Sequence, residues 1–272
     1  MSTGLESQAA WPQPSAAGWV TGGGRTEAAG DLDRVYRLAS VTKLLSTMAV
    51  LVAVEEGTVA LDEPAGPPGS SVRFLLCHAS GLPFEGHAPI AEPGARRIYG
   101  NAAFEVLAAL VEERAGMAFG TYVAEAVLGP LEMTATTWGT SPAHGARSTV
   151  ADLLRLGAEV LRPGRVLAAA TVEEAMTVQL ADLRGVLPGF GRQDPNPWGL
   201  GFEVHGEKAP HWMPVEASPR TVGHFGQSGS FLWVDPDADV ACAGLSDEPF
   251  GDWARAAWPL LGHDVLGAVP CG

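Results

Sequence analysis

Lysine is nearly missing from this 272-residue chain. Of its 17 basic residues only Lys43 and Lys208 are lysines, and the rest are arginine. Basic residues as a class are outnumbered by 31 acidic ones, for a net charge of -14. Such a chain repels phosphate backbones and anionic membrane surfaces, so neither nucleic acid nor membrane is an expected partner. Cysteine is scarce too. Cys77, Cys242 and Cys271 are odd in number and widely spaced, with no C-x-x-C, so neither a zinc ribbon nor a disulfide framework is expected. The histidines are scattered without ligand spacing, and no metal or cofactor is expected. Long apolar runs are also lacking. The longest, Met48 to Val54, is far below the ~18–20 residues that span a bilayer. Met1 to Gln13 holds no basic stretch followed by an apolar run, so no signal peptide is expected and the expected compartment is the cytoplasm.

What is present is a globular composition, 46% apolar and 18% charged. The length suffices to bury a core without metal or disulfide staples. Gly18 to Thr21 and Val35 to Leu38 have strand character near the start. Val41 to Glu56 is apolar almost all round, which predicts a buried helix, with Ser40 as its cap and Gly57 as its stop. Val72 to Cys77 predicts a short helix. Ala102 to Arg114 predicts an amphipathic one, capped by Asn101 and ended by Gly116. Tyr122 to Leu128, Val150 to Leu161 and Val172 to Leu180 predict further helices. Trp198 to Val204, Phe231 to Val234 and Val240 to Leu245 predict strands, the last two joined by a turn at Asp235-Pro236-Asp237. A final helix over Asp252 to Leu266 would face inward with Trp253, Ala256, Ala257, Leu260 and Leu261. Strands at both ends and helices between them imply an α/β (α+β) fold. Residues 1–56 and 197–272 would form one sheet, and 57–196 an inserted helical subdomain, in one domain overall.

Three groups of residues could do chemistry. Ser40-Val41-Thr42-Lys43 places a hydroxyl and an amine three residues apart, hence on one helix face, at a helix start with free amide hydrogens. That suits nucleophilic catalysis: the hydroxyl attacks, the amine takes its proton, and the amides hold the oxyanion. An amine on so apolar a helix is costly unless used or paired. Tyr99-Gly100-Asn101 lies in a loop just before a helix. With three tyrosines and two asparagines, roughly 0.02 Tyr-x-Asn matches are expected by chance. Gly223-His224-Phe225-Gly226-Gln227-Ser228-Gly229-Ser230 leads into a strand, where Gly226 would let a ligand approach the strand edge.

Ser-x-x-Lys, Tyr-x-Asn and His-x-Gly, in this order, resemble the motifs of the penicillin-recognising serine hydrolases. The sequence is most similar to their class C β-lactamase-related branch, which also holds DD-peptidases, carboxylesterases and D-amino-acid amidases. Tyr36 to Lys43, Leu75 to Pro83 and Val234-Asp235-Pro236 resemble that branch as well. The resemblance runs from about Gly18 to the C-terminus. It implies the β-lactamase/DD-peptidase fold, an antiparallel sheet flanked by helices. It also implies an acyl-enzyme mechanism with Ser40 as nucleophile and Lys43 and Tyr99 sharing the base role. Asn101 would hold a substrate carbonyl or amide and orient Lys43. The backbone N–H groups of Ser40 and Gln227 would form the oxyanion hole, and His224 would line the site.

Three departures carry weight. His224 stands where β-lactamases of the branch carry lysine, and a neutral imidazole anchors a carboxylate less well. Gly100 stands where Ser or Ala is usual, so one polar contact is lost. The stretch from Ser40 to Tyr99 is short, which leads us to expect a shallow, open site. The expected substrate is a small ester or amide, with a lactam possible. DD-peptidase or β-lactamase action proper is the alternative. A silent binding protein on the same fold is the non-enzyme alternative. A rival nucleophile is Ser228 in a near match to the G-x-S-x-G elbow, although a strand rather than a helix follows it.

Overall fold

The computed structural model describes residues 2–269; Cys271 lies outside them. The main sheet has six antiparallel strands. β1 (Ser15–Thr21) and β2 (Thr26–Gly30) come from the start of the chain. A two-residue strand β3 (Tyr36–Arg37) leads through a tight 3-10 turn, Ala39–Val41, into helix α1 (Thr42–Glu55). The helical middle follows with α2 (Val72–Leu76), α3 (Ala102–Ala115) and α4 (Phe119–Val123), the last running on into a π turn. Strand β4 (Arg147–Ser148), helices α5 (Val150–Leu161) and α6 (Ala169–Met176), and a hairpin of β5 (Gly185–Leu187) and β6 (Gly191–Gln193) come next. The chain then returns to the sheet with β7 (Glu203–Val204), β8 (Val222–Gly226), β9 (Ser230–Asp235) and β10 (Val240–Ser246). It ends in helix α7 (Asp252–Ala268). The strand order β2-β1-β10-β9-β8-β7 joins the two chain ends through the β1–β10 ladder.

Both faces of the central strands are buried, so alternate residues serve two cores. Leu232, Val234, Ala241, Ala243 and Leu245 face α1, α5 and the helical middle. Phe231, Trp233, Val240 and Cys242 face α7, whose Ala254, Trp258, Leu261 and Val265 complete a tryptophan-rich layer. At roughly 1.5–3 kcal/mol per large apolar side chain, these two layers dominate the stability of the fold. Helix α1 runs through the first core with 11 of its 14 residues buried, which matches its all-round apolar sequence.

The sequence expectations differ from the structure at several elements. The second strand of the sheet is β2, an edge strand of mostly small residues, Thr26-Glu27-Ala28-Ala29-Gly30, that carries no large apolar side chain. The Val35 to Leu38 stretch leaves the sheet instead and pairs as β3 with β4. The expected strand Trp198 to Val204 shrinks to Glu203–Val204, because Gly201 turns the chain at φ +74°. The helix expected to reach Leu180 stops at Met176. Helix α7 turns Trp258 and Leu261 inward, while Leu260 is 53% exposed and Ala256 is exposed, so the expected face was rotated. Helix α5, drawn into the helical insertion, packs on β1, β9 and β10.

Candidate active site

Ser40 sits in the 3-10 turn between β3 and α1. Its predicted role as a helix cap is not taken up: no side chain caps α1, and Ser40 Oγ is left for other partners. Ala39 before it holds a left-handed backbone at φ 42°, a conformation that costs a non-glycine residue energy and recurs at functional sites. The turn is clasped from β9. Ser230 Oγ donates to Leu38 O at 2.7 Å and Ser228 Oγ donates to Arg37 O at 2.7 Å. Gly226 packs so close that a Cβ there would meet Leu38 O at 2.3 Å. Ser228 therefore anchors the Ser40 segment; it has no histidine partner and no helix follows it, which removes the elbow reading.

Lys43, the second residue of α1, is fully buried. Its Nζ lies 3.4 Å from Ser40 Oγ, 3.1 Å from Tyr99 Oη, 2.8 Å from Asn101 Oδ1 and 3.0 Å from Ala143 O. All four partners are uncharged. Burial lowers its pKa from 10.5 to about 7, and the charge of Glu105 pulls weakly the other way. Near neutral pH a large fraction of Lys43 is thus a free amine with two N–H bonds and one lone pair. Asn101 Oδ1 and Ala143 O can only accept, so they take both N–H bonds. The lone pair then faces the hydroxyls of Ser40 and Tyr99.

Asn101 was expected to cap α3. It stands at the cap position but makes no capping bond; its oxygen serves Lys43 instead. A capping bond is worth about 1 kcal/mol, so α3 forgoes stability that the site uses. Gly100 is explained by space: a Cβ there would meet Pro83 O at 2.4 Å and Phe84 Cα at 2.9 Å. The loop around Pro83 closes on residue 100, and no side chain fits.

Tyr99 is half-buried, its ring packed against His78, Trp198 and His224 with centroids 4.8, 5.9 and 5.6 Å away. Burial pushes its phenol pKa far up, and the hydrogen bond with Ser40 acts only weakly against this. The phenol stays protonated at neutral pH, so of the two residues expected to share the base role only Lys43 can give up its proton there. His224 is buried. Burial first, then the nearby Lys43, lower its pKa to about 3. Its Nδ1 lies 2.7 Å from Phe225 O, which makes Nδ1 the donor and Nε2 an acceptor. That Nε2 has no hydrogen-bond partner among the described residues.

Ser40, Tyr99, His224 and Gln227 line one cavity of about 200 Å³, walled also by Phe84, Leu187, Pro188, Trp198, Glu203 and Phe225. The site is a small aromatic-walled pocket rather than the shallow, open cleft expected. The β5–β6 hairpin, unassigned in the sequence, supplies Leu187 and Pro188 as the missing wall. Behind it the second lysine is spoken for. Lys208 Nζ donates to Glu203 Oε1 at 2.7 Å, and His211 and Trp212 complete the ring around that carboxylate. Burial alone would raise the Glu203 pKa, but Lys208 and His211 hold it well below the usual carboxylate range. The sequence also missed the carbonyl of Ala143 and the anchoring hydroxyls of Ser228 and Ser230. A backbone acceptor leaves no trace in a sequence, and serines next to glycine look like turn residues.

A family model described as β-lactamase matches residues 8–266. The chain belongs to the β-lactamase family. The crystal structure of a β-lactamase from Mycobacterium bovis is 49% identical and superposes with a TM-score of 0.95, covering 97% of this chain and 98% of that one. The D-alanyl-D-alanine-carboxypeptidase/endopeptidase AmpH of Escherichia coli is 30% identical over 158 residues. That match takes in 44% of this chain and only 41% of AmpH. The simvastatin synthase LovD of Aspergillus terreus shares the fold at 17% identity, with a TM-score of 0.82 and 100% of both chains covered. The antiparallel sheet, its flanking helices and the family resemblance of the three motifs therefore agree. No helix among the described residues is long and apolar enough to cross a membrane.

Proposed function

We propose that this β-lactamase-family chain is a serine hydrolase that works through an acyl-enzyme on Ser40, with a small ester or amide as substrate. The observation that carries the reading is the buried amine of Lys43, with a pKa of about 7 and its lone pair toward Ser40 and Tyr99. In acylation Ser40 Oγ attacks the carbonyl carbon and its proton passes to Lys43 Nζ, directly or through the Tyr99 hydroxyl. The oxyanion so formed accepts from the backbone N–H groups of Ser40 and Gln227, which both border the pocket. On collapse, the carbon–leaving-group bond breaks and the same proton goes to the leaving oxygen or nitrogen. A water then attacks the acyl-Ser40 ester and gives its proton to Lys43, and as the carbon–Oγ bond breaks Lys43 returns that proton to Ser40, which leaves as the alcohol. Asn101 and Ala143 hold the amine in place throughout.

His224 bears on the substrate class. A neutral imidazole offering only an acceptor nitrogen suits a substrate N–H or O–H. It offers nothing to a carboxylate at that position, which both penicillins and D-Ala-D-Ala peptides carry. This favours an ester or amide over the peptidase or lactamase reading. The likeness to AmpH keeps peptidase action as the second reading. The test is the time course of p-nitrophenyl acetate release by wild type and Ser40→Ala, with and without benzylpenicillin. A burst followed by turnover, lost in the variant, is expected. Indifference to penicillin supports the ester or amide, and suppression of the burst supports the peptidase side. No release above the variant would leave an enzyme of narrow specificity or a protein that binds without turnover.

A further inference from the structure

Beside the Ser40 pocket, and sharing Phe84, Tyr99 and Pro188 with it, lies a wider groove of about 720 Å³. Its charge runs against that of the chain. Arg96, Arg97, Arg184 and Arg192 line it, and no Asp or Glu does. Arg97 is buried and spent on structure: its guanidinium donates to Cys77 O, Asn196 O, Gln179 O and Leu180 O. Arg96, Arg184 and Arg192 are exposed. Among the described residues, nine arginines elsewhere hold a carboxylate within 4.0 Å. Arg96, Arg184 and Arg192 hold none, in a chain with 31 acidic residues; Arg37 and Arg147 also hold none, but they lie apart from the groove on the β3–β4 pair. In a protein of charge -14 the general field repels anions, so three free guanidiniums at one place make a local attraction that the rest of the surface opposes.

The groove is apolar as well. Phe84, Ile90 and Val186 line it at 51%, 57% and 60% exposure, three of the eight large hydrophobic side chains that are exposed among the described residues. Arg184 and Arg192 flank Val186 on the β5–β6 hairpin, whose Val186 pairs with Arg192. The same hairpin walls the Ser40 pocket with Leu187 and Pro188. Apolar floor, arginine rim and reactive hydroxyl therefore lie along one continuous path. Guanidinium groups bind carboxylates in a planar, two-toothed fashion that fits such a rim.

We propose that this groove receives the anionic end of the substrate, so that the preferred substrates are amphipathic esters or amides with a carboxylate some atoms away from the scissile bond. The inference deepens the acyl-enzyme reading by naming its substrate class. It moves the anion contact away from His224, which cannot make one, to Arg96, Arg184 and Arg192.

The test measures binding, so that it does not depend on Ser40 chemistry. Ser40→Ala protein is titrated calorimetrically with two pairs of stable amides. Glutaryl 4-nitroanilide against valeryl 4-nitroanilide places the charge on the acyl side. 4-Acetamidobenzoate against N-(4-methylphenyl)acetamide places it on the leaving-group side. In at least one pair the anion is expected to bind tenfold or more tighter than its neutral partner. That preference should fall with added salt and vanish in Ser40→Ala carrying Arg96→Gln, Arg184→Gln and Arg192→Gln. The hairpin substitutions Arg184→Gln and Arg192→Gln made singly give the same reading, each reducing the preference, if the triple change fails to fold. Equal affinities within both pairs, or a preference that survives the arginine changes, would overturn the proposal. Failure of the acyl-enzyme reading would show separately, as a missing burst in wild-type protein.

Discussion

The protonation state of Lys43 makes a quantitative claim. If its neutral form is the base, acylation must follow the fraction of unprotonated amine. With a pKa of about 7, that fraction is about 97% at about pH 8.5, about half at about pH 7 and about 3% at about pH 5.5. The limb rises with pH because the deprotonated amine is the active form. His224, with its pKa near 3, stays neutral over this range and adds no limb of its own. Glu105 is the handle. Its negative charge is what holds the Lys43 pKa up against burial, so Glu105→Gln should lower that pKa and move the limb to more acid pH. Glu105 Oε1 accepts from Ser141 Oγ at 2.7 Å, a bond that a glutamine oxygen can keep, so the fold is little disturbed. The assay is the pH dependence of kcat/KM for p-nitrophenyl acetate in wild type and Glu105→Gln. About a 30-fold fall from about pH 8.5 to about pH 5.5 is expected in the wild type. In the variant the activity at acid pH should be higher and that at alkaline pH unchanged. A flat profile, a limb above about pH 9 where an ordinary lysine titrates, or a variant limb moved to higher pH would refute the reasoning.

Three further outcomes follow from the same geometry. Asn101→Asp sets a carboxylate 2.8 Å from Lys43 Nζ, which should raise the Lys43 pKa and move the limb to higher pH, with activity at neutral pH lost and partly regained on the alkaline side. Gly100→Ala drives a methyl into Pro83 O and should cost about 1–3 kcal/mol, read as a fall of several degrees in Tm and a loss of activity. Glu203→Gln leaves the buried Lys208 without its carboxylate partner, so it should cost about 3–5 kcal/mol in denaturant unfolding at neutral pH. The Glu203 pKa is depressed in the folded state, so its contribution is present above the ordinary carboxylate range and lost as pH falls through the lower folded value. The gap between wild type and Glu203→Gln should therefore close only in strong acid.

Those parts of the fold that rest on apolar pattern were legible in the sequence. Helix α1 announced itself by burying nearly every residue, and β9 and β10 by apolar runs on either side of a turn. Strand β2 did not, because an edge strand of mostly small residues exposed on one face has the composition of a loop. The face of α7 was misjudged because alanine and tryptophan lie all round it, and only the sheet it packs on decides which turn inward. At the site, motif order brought Ser40, Lys43, Tyr99, Asn101 and His224 to attention, and the structure sets Ser40, Tyr99 and Asn101 within hydrogen-bond reach of the Lys43 amine. The division of labour among them was hidden. Whether Tyr99 or Lys43 loses its proton depends on burial, which belongs to the folded chain. Gly100 looked like a lost contact and is a position where no side chain fits. The arginine groove could not be read at all, since Arg96 and Arg184 are far apart in sequence and their lack of acidic partners exists only in three dimensions.

The acyl-enzyme itself is the claim on which the rest depends. Acid quench of the wild-type protein during turnover of a p-nitrophenyl ester, followed by peptide mapping by mass spectrometry, measures it directly. The account predicts one added acyl group, on Ser40, absent from Ser40→Ala and accumulating more slowly at acid pH. An acyl group on Ser228 or any other residue, or p-nitrophenol release with Ser40 unmodified at every time point, would contradict it.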